Sequence, residues 1–190
     1  VSLSGSTLAN NGGEDTKRGG AIMVNAKELY AENTTIANNM VSMDSAAPGY
    51  GGGIYLYNTT VDARIVHSTI TGNKAYHGGG IRTINADLQL QSSIVARNEV
   101  PKDSGSSGVG ADLRISPALL AGSTNNLIGD GETATGLTHG VNGNQVGTTN
   151  EPIDPLFIED ANGDPLLADN GGPVPTVALQ VANPATSLPG

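Results

Sequence analysis

Residues 50–81 read YGGGIYLYNTTVDARIVHSTITGNKAYHGGGI. The stretch opens on Gly51-Gly52-Gly53-Ile54 and closes on Gly78-Gly79-Gly80-Ile81, with Ser68-Thr69-Ile70-Thr71-Gly72-Asn73 between them. Both motifs recur. Ser6-Thr7-Leu8-Ala9-Asn10-Asn11 and Thr34-Thr35-Ile36-Ala37-Asn38-Asn39 come earlier, and Ser92-Ser93-Ile94-Val95-Ala96-Arg97-Asn98 comes later. The glycine motif has counterparts at Gly19-Gly20-Ala21-Ile22 and, in weaker form, at Val109-Gly110-Ala111-Asp112-Leu113. Successive copies lie about 24 to 34 residues apart, a period typical of solenoids and propellers.

Within each copy the apolar residues alternate. Leu88, Leu90, Ser92 and Ile94 interleave with Gln89, Gln91 and Ser93. Val61, Ala63 and Ile65 follow the same rule, as do Ile54 and Leu56 against Tyr55 and Tyr57. A period of two is that of a half-buried strand. No long stretch of period 3.6 separates the strands, which excludes the helical crossovers of a βαβ sheet. Short strands joined by short turns, coil upon coil, predict an all-β parallel β-helix. Five or six such coils, stacked about 4.8 Å apart, make a body roughly 25 Å tall.

In this arrangement Leu8, Ile36, Ile70 and Ile94 are expected to form one internal aliphatic ladder. Ser6, Thr34, Ser68 and Ser92 fall two residues earlier on the same inward face, where their hydroxyls need partners. Thr7, Thr35, Thr69 and Ser93 form the outward row. Asn11, Asn39, Asn73 and Asn98 follow at the turn, placed to bond the coils above and below. The glycine runs admit sharp turns and positive φ. Residues 12–18, 41–49 and 99–108 are polar or rich in Pro, Gly and Ser and read as loops. Residues 1–122 are therefore assigned to coils. Residues 123–190 are assigned to a last coil, near Asn125-Asn126-Leu127-Ile128-Gly129, and an irregular tail that covers the open end of the core.

Composition sets the class. Glycine accounts for 27 of 190 residues, aromatics for 3%, and Trp is absent, so the interior must be narrow and filled by small aliphatic side chains. The net charge is −9 and the nine Lys and Arg are scattered, which argues against a nucleic-acid partner. No cysteine is present, and no apolar run is long enough to span a membrane as a helix. The chain begins at Val1 inside a repeat and reads as a mature product or an excised fragment.

The units STI-TGN-(x)n-GGGI resemble bacterial right-handed parallel β-helix proteins of the pectate-lyase-like superfamily. The tail carries a second resemblance. Asn126-Leu127-Ile128-Gly129, Gly140-Val141-Asn142-Gly143-Asn144, Pro152-Ile153-Asp154-Pro155-Leu156 and Leu166-Leu167-Ala168-Asp169-Asn170-Gly171-Gly172-Pro173 look like the C-terminal region of "choice-of-anchor Q" surface proteins. Where that family closes on a Ser-Pro-Ala-Ile-Asp type segment, this chain has Asn183-Pro184-Ala185-Thr186-Ser187. The resemblance implies a single right-handed solenoid, secreted or held at the cell surface, with a structural or adhesive role and no catalytic residue. Surface polysaccharide is an expected partner, and if Val1 starts a coil directly, the open coil ends let neighbouring copies stack end to end as an oligomer or filament.

Chemistry is sparse. Polysaccharide hydrolases need two carboxylates flanking the cleaved bond. The Asn-Thr-Asp segment, Asp pair and Gly-His-Gly turn of polygalacturonase-type enzymes are missing, His77-Gly78-Gly79 being the nearest echo. The strand faces offer Asp62, Arg64, Arg82 and Asp87 without a tight acidic pair. Lyases of this fold use calcium and an Arg or Lys base, for which Arg64, Arg82, Arg97 and Arg114 could align in a column. His67, His77 and His139 share no metal-ligand spacing. Tyr55 and Tyr57 could form a sugar-stacking platform. Asp160-Ala161-Asn162-Gly163-Asp164 places oxygen side chains at positions 1, 3 and 5 of a calcium loop, so Asp160, Asn162 and Asp164 are the candidate ligands. Pro165 and Gly171 stand where such a loop needs Gly and Glu, and an Asn-Gly turn accounts for the same residues. No other cofactor is expected. A polysaccharide-active enzyme and a calcium-stabilised carbohydrate-binding module remain the alternatives.

Overall fold

The computed structural model describes residues 1–25, 27–58, 62–101 and 110–180. Within them are sixteen strands and no helix. They are β1 (Ser2–Ser4), β2 (Thr7–Ala9), β3 (Ile22–Val24), β4 (Glu28–Glu32), β5 (Thr35–Ala37), β6 (Ile54–Tyr57), β7 (Asp62–Val66) and β8 (Thr69–Thr71), followed by β9 (Ile81–Ile84), β10 (Asp87–Gln91), β11 (Ile94–Ala96), β12 (Leu113–Arg114), β13 (Leu127–Ile128), β14 (Gln145–Val146), β15 (Leu167–Ala168) and β16 (Thr176–Val177). The first sheet has the order β1-β4-β7-β10, the second β14-β13-β11-β8-β5-β2 and the third β12-β9-β6-β3. Pairing is parallel in all three, while β15 and β16 form a separate antiparallel pair. From β1 to β9 each strand thus pairs with the strand three places on, and the chain visits the sheets in rotation.

Left-handed corner residues produce this rotation. Gly5, Asn33, His67 and Ser92, with φ between 47° and 50°, turn the chain from the first sheet into the second. Asn10, Asn38, Gly72 and Arg97 turn it out of the second, and Gly19, Gly51, Gly78 and Gly110 turn it toward the third. Asn recurs at these corners because its short polar side chain tolerates the left-handed region better than other non-glycine residues. At Gly52 the reason for glycine is different. A Cβ there would lie 2.5 Å from the Gly79 carbonyl oxygen and 2.6 Å from that of Lys74, so only a bare backbone fits. Most of the change in circuit length falls between the second-sheet strand and this glycine corner, in residues 12–18, 41–49, 74–77 and 99–109.

The interior is aliphatic. Ile36, Ile54, Leu56, Ile65, Ile70, Ile81, Leu88, Leu90 and Leu113 are completely buried in one cluster, each contributing roughly 1.5–3 kcal/mol by leaving water. Along the second sheet the inward row is Leu8, Ile36, Ile70, Val95, Ile128 and Val146. Ile94 is therefore not a rung of the internal ladder. It pairs with Thr69 and Leu127 on the outer row, and Val95 takes the inward place. Ser92 causes the shift. Its φ of 47° makes it the corner residue, and an alternation counted straight through a corner changes phase by one. For the same reason Ser93, not Ser92, joins Ser68 on the inward face, and Ile94 replaces Ser93 in the outward row.

The tail follows two courses. Ile115, Leu119 and Ala134 enter the main core, Leu137 packs against it, and Leu120 N–H bonds the Leu88 carbonyl, so residues 115–137 close the end beyond β10 and β12. Residues 153–179 instead lie along the outer side of the second sheet. There Phe157, Ile153, Val177 and Leu179 pack with Ile94, Ala96 and Leu127, and Thr7 donates to the Pro175 carbonyl at 2.5 Å. This strap exists because Ile94 and Leu127 face outward and need cover. Val61, Val109, residues 102–108 of the third loop and residues 183–187 lie outside the described residues.

Candidate functional site

Ile54 and Leu56 point into the core, which turns Tyr55 and Tyr57 to the outer face of the third sheet. Strand register then fixes their neighbours. Met23, Tyr55, Arg82 and Arg114 form one row across β3, β6, β9 and β12. Bridges place Arg18, Tyr50 and His77 in a second row beside it. The Tyr55 and Tyr57 rings are nearly parallel, at 7° and 6.2 Å between centroids. Tyr50 lies 6.2 Å from Tyr55 and 5.5 Å from His77, and the Arg18 guanidinium sits 5.8 Å from the Tyr55 centroid, within cation–π range. Tyr55 is covered by this packing, whereas Tyr57 keeps 47% of its surface exposed.

The face is cationic and uncompensated. Arg82 Nη1 donates to the Thr83 and Arg114 carbonyls at 2.5 and 3.0 Å, which holds its guanidinium beside β12. Among the described residues no carboxylate forms an ion pair with Arg18, Arg82 or Arg114. Arg82 Nε, Arg114 Nη1 and His77 Nδ1 are buried and lack a hydrogen-bond partner. Burial, and then the neighbouring Arg114 charge, lower the Arg82 pKa to about 10. Burial, and then the charges of Arg114 and Arg82, push His77 down to about 4, so its ring is neutral at pH 7. Arg64 and Arg97 are elsewhere. Arg64, in the first sheet, donates to Gln91 at 2.5 Å. Arg97 at the second-sheet corner pairs with Asp154 at 3.1 Å and with Glu159, holding the strap. The arginine column of the sequence reading thus reduces to Arg82 and Arg114.

The asparagines form a continuous hydrogen-bonded column. Asn11 donates its backbone N–H and Nδ2–H to Asn39 Oδ1, both at 2.9 Å. Asn39 does the same to Asn73, and Asn73 to Asn98, at 2.9–3.0 Å. The remaining Nδ2 protons reach the Leu8, Ile36 and Ile70 carbonyls. Asp112 terminates the column. One of its oxygens accepts both Asn98 donors and the other accepts the Asp130 N–H at 2.6 Å. A parallel column runs through the hydroxyls: Thr34 N–H donates to Ser68, Ser68 N–H to Ser93, and Ser93 N–H to Asn126, which bonds Asn144.

Burial raises the Asp112 carboxyl to about 7. Such a value often marks an acid–base catalyst, but here both oxygens are engaged in the column and the residue is only 3% exposed. A cavity of about 860 Å³ lies next to it, lined by Arg97, Asp130, Thr149 and Asp154 among others. Its polar walls are also occupied, with Thr149 on both Asp130 oxygens and Arg97 on Asp154. At the candidate calcium loop, Asp160 Oδ1 accepts the Asn162 and Asp164 N–H groups at 2.8 and 3.1 Å, which lowers its pKa. Asp164 lies 3.5 Å from the Lys74 ammonium, and Asn162 turns its Nδ2 toward Asp160. Among the described residues no three His, Cys, Asp or Glu side chains converge as a metal site.

Comparisons with protein-family models, with curated proteins and with solved structures found no match. The site is accordingly defined by geometry alone: an outward patch of three arginines, three tyrosines and a neutral histidine. Tyr55 and Tyr57 stand out in the sequence, whereas their union with Arg18, Tyr50 and His77 is set by strand register. The signal was present in the glycine motif, since Arg82 and Arg114 each follow its closing aliphatic residue and Tyr50 and His77 each precede its first glycine.

Proposed function

We propose that the chain is a right-handed parallel β-helix module of a secreted or cell-surface protein, related to the pectate-lyase-like and choice-of-anchor Q type proteins, with a structural or adhesive role. The rotation of strands through three parallel sheets supports the solenoid, as does the in-register stacking of inward residues. The observation that carries the functional reading is the column from Asn11 to Asp112. The repeated polar residues join rung to rung and do not converge on a point where a substrate atom could react. A fully satisfied polar column rigidifies a fold, which suits a load-bearing or display role. In the same reading β1, β2 and β3 each lie at a sheet margin, an edge to which a further rung can add.

The test is surface proteolysis of intact producing cells combined with a polysaccharide turnover panel, run with and without calcium. The expected result is removal of the chain by external protease and no new reducing or unsaturated ends. Protection inside intact cells, or turnover of any panel member, overturns the reading.

A further inference from the structure

The patch on the third sheet holds like charges together without a counter-charge. Arg82 and Arg114 are register neighbours on adjacent parallel strands, about 4.8 Å apart in backbone, and their guanidiniums repel one another. In a chain of net charge −9, carboxylates are plentiful, yet among the described residues none pairs with Arg18, Arg82 or Arg114. Arg82 Nε and Arg114 Nη1 each carry an N–H without an acceptor, and leaving such a buried donor unpaired is costly. These are the features of a site that awaits an anion.

The shape of the anion follows from the donors. A carboxylate offers two coplanar oxygens and suits one guanidinium fork. Two guanidiniums projecting from neighbouring strands, with Arg18 at the rim, present donors from different directions, which suits the three diverging terminal oxygens of a tetrahedral oxyanion. Beside them Tyr57 exposes its ring, parallel to that of Tyr55, and exposed Met23 stands in the same row as Tyr55. A weakly polar ring face can lie on this surface while its charged substituent reaches the arginines. His77 cannot supply a counter-charge, because an imidazole has no anionic form near neutral pH.

We infer that this face, defined by Arg18, Arg82, Arg114 and Tyr57, binds sugar chains bearing a tetrahedral oxyanion, a sulfate or phosphate ester. The inference names a ligand for the adhesive module proposed above and rests on that reading only for its biological setting.

The test is calorimetric titration of the purified chain with dextran sulfate, dextran phosphate, polygalacturonate and unmodified dextran, at low and high salt. Binding of the sulfated or phosphorylated polymer is expected, weakened by salt, with the tighter of the two identifying the ester. Polygalacturonate should bind at least about tenfold more weakly, and unmodified dextran not at all. Arg114→Gln and Arg82→Gln should each weaken binding about tenfold. Arg18→Gln, at an exposed position that does not enter the core, and Tyr57→Ala should weaken it in a protein with unchanged melting temperature. Arg114→Lys keeps the charge and should still lose affinity, since the fork is lost. Absence of binding at low salt, equal or tighter binding of polygalacturonate, or affinity unchanged in both Arg18→Gln and Arg114→Gln would each overturn the inference. None of these results bears on surface location or on turnover.

Discussion

Asn98 donates its backbone N–H and its Nδ2–H to one oxygen of Asp112, at 2.9 and 2.8 Å. The same two bonds join Asn73 to Asn98, so a carboxyl group stands where the next amide is needed. Asp112 reaches that place from the glycine-motif strand, at a position held by Gly53 and Gly80 in earlier circuits. The matching residue of the last circuit is Gly131, which has no side chain to offer.

This substitution makes stability depend on pH. Asp112 ionises near 3.8 in the unfolded chain and near 7 in the folded one. Between those values the folded state holds a proton that the unfolded state has released, so stability falls as pH rises from about 4 to about 7 and levels off above. Asp112→Asn should flatten that portion of a plot of denaturation midpoint against pH. An unchanged slope would remove Asp112 as its source.

His77 acts with the opposite sign. Its folded pKa of about 4 lies below the ordinary value of 6.5, so its contribution is present above pH 6.5 and is lost as pH falls toward 4. Arg114→Gln removes one of the charges that depress it, and the His77 titration followed by NMR should move upward.

Removing a middle rung should cost more than removing an outer one. Asn73→Ala strips the acceptor from two Asn39 donors and the donor from the Ile36 carbonyl, all in the interior. A loss of about 3 kcal/mol is expected in denaturant titration. Asn11→Ala, at an exposed position, should cost within about 1 kcal/mol.

The register of β11 can be tested directly. Ile70→Ala opens a cavity in the closed interior and should cost about 2–5 kcal/mol. Ile94→Ala should cost less globally, because Ile94 is only partly buried and faces the strap. Together with Arg97→Gln, which frees Asp154 and Glu159, it should make residues 155–175 the first segment cut in limited proteolysis. Equal global losses for Ile70→Ala and Ile94→Ala would contradict the register.

What a repeat makes legible is equivalence between positions. Ile36 and Ile70 occupy matching places in their motifs, and the structure sets them side by side. Asn39 and Asn73 likewise match, and their amides meet. What it hides is phase. Nothing in the residue type of Ser92 announces a left-handed corner where earlier circuits have Gly, Asn or His, and an alternation carried through it shifts by one residue. The path of the strap was hidden for another reason: residues 153–179 have no period, and their course depends on where Ile94 and Leu127 leave an apolar surface uncovered. The arginine pair lay between these cases. Its register was readable from Ile81 and Leu113, but Arg64 and Arg97 obscured it by sharing only a residue type.

Most variation in circuit length emerges on one side of the body, between the asparagine column and the glycine corner. That side behaves as a cassette position. The turn in which the Ala47 N–H meets the Asp44 carbonyl is exposed around Ser45 and Ala46, and doubling a loop there costs only about 0.6 kcal/mol in closure entropy. A foreign peptide grafted at Ser45 would therefore be displayed beside the aromatic–arginine face while the stacked scaffold beneath it stays as it is.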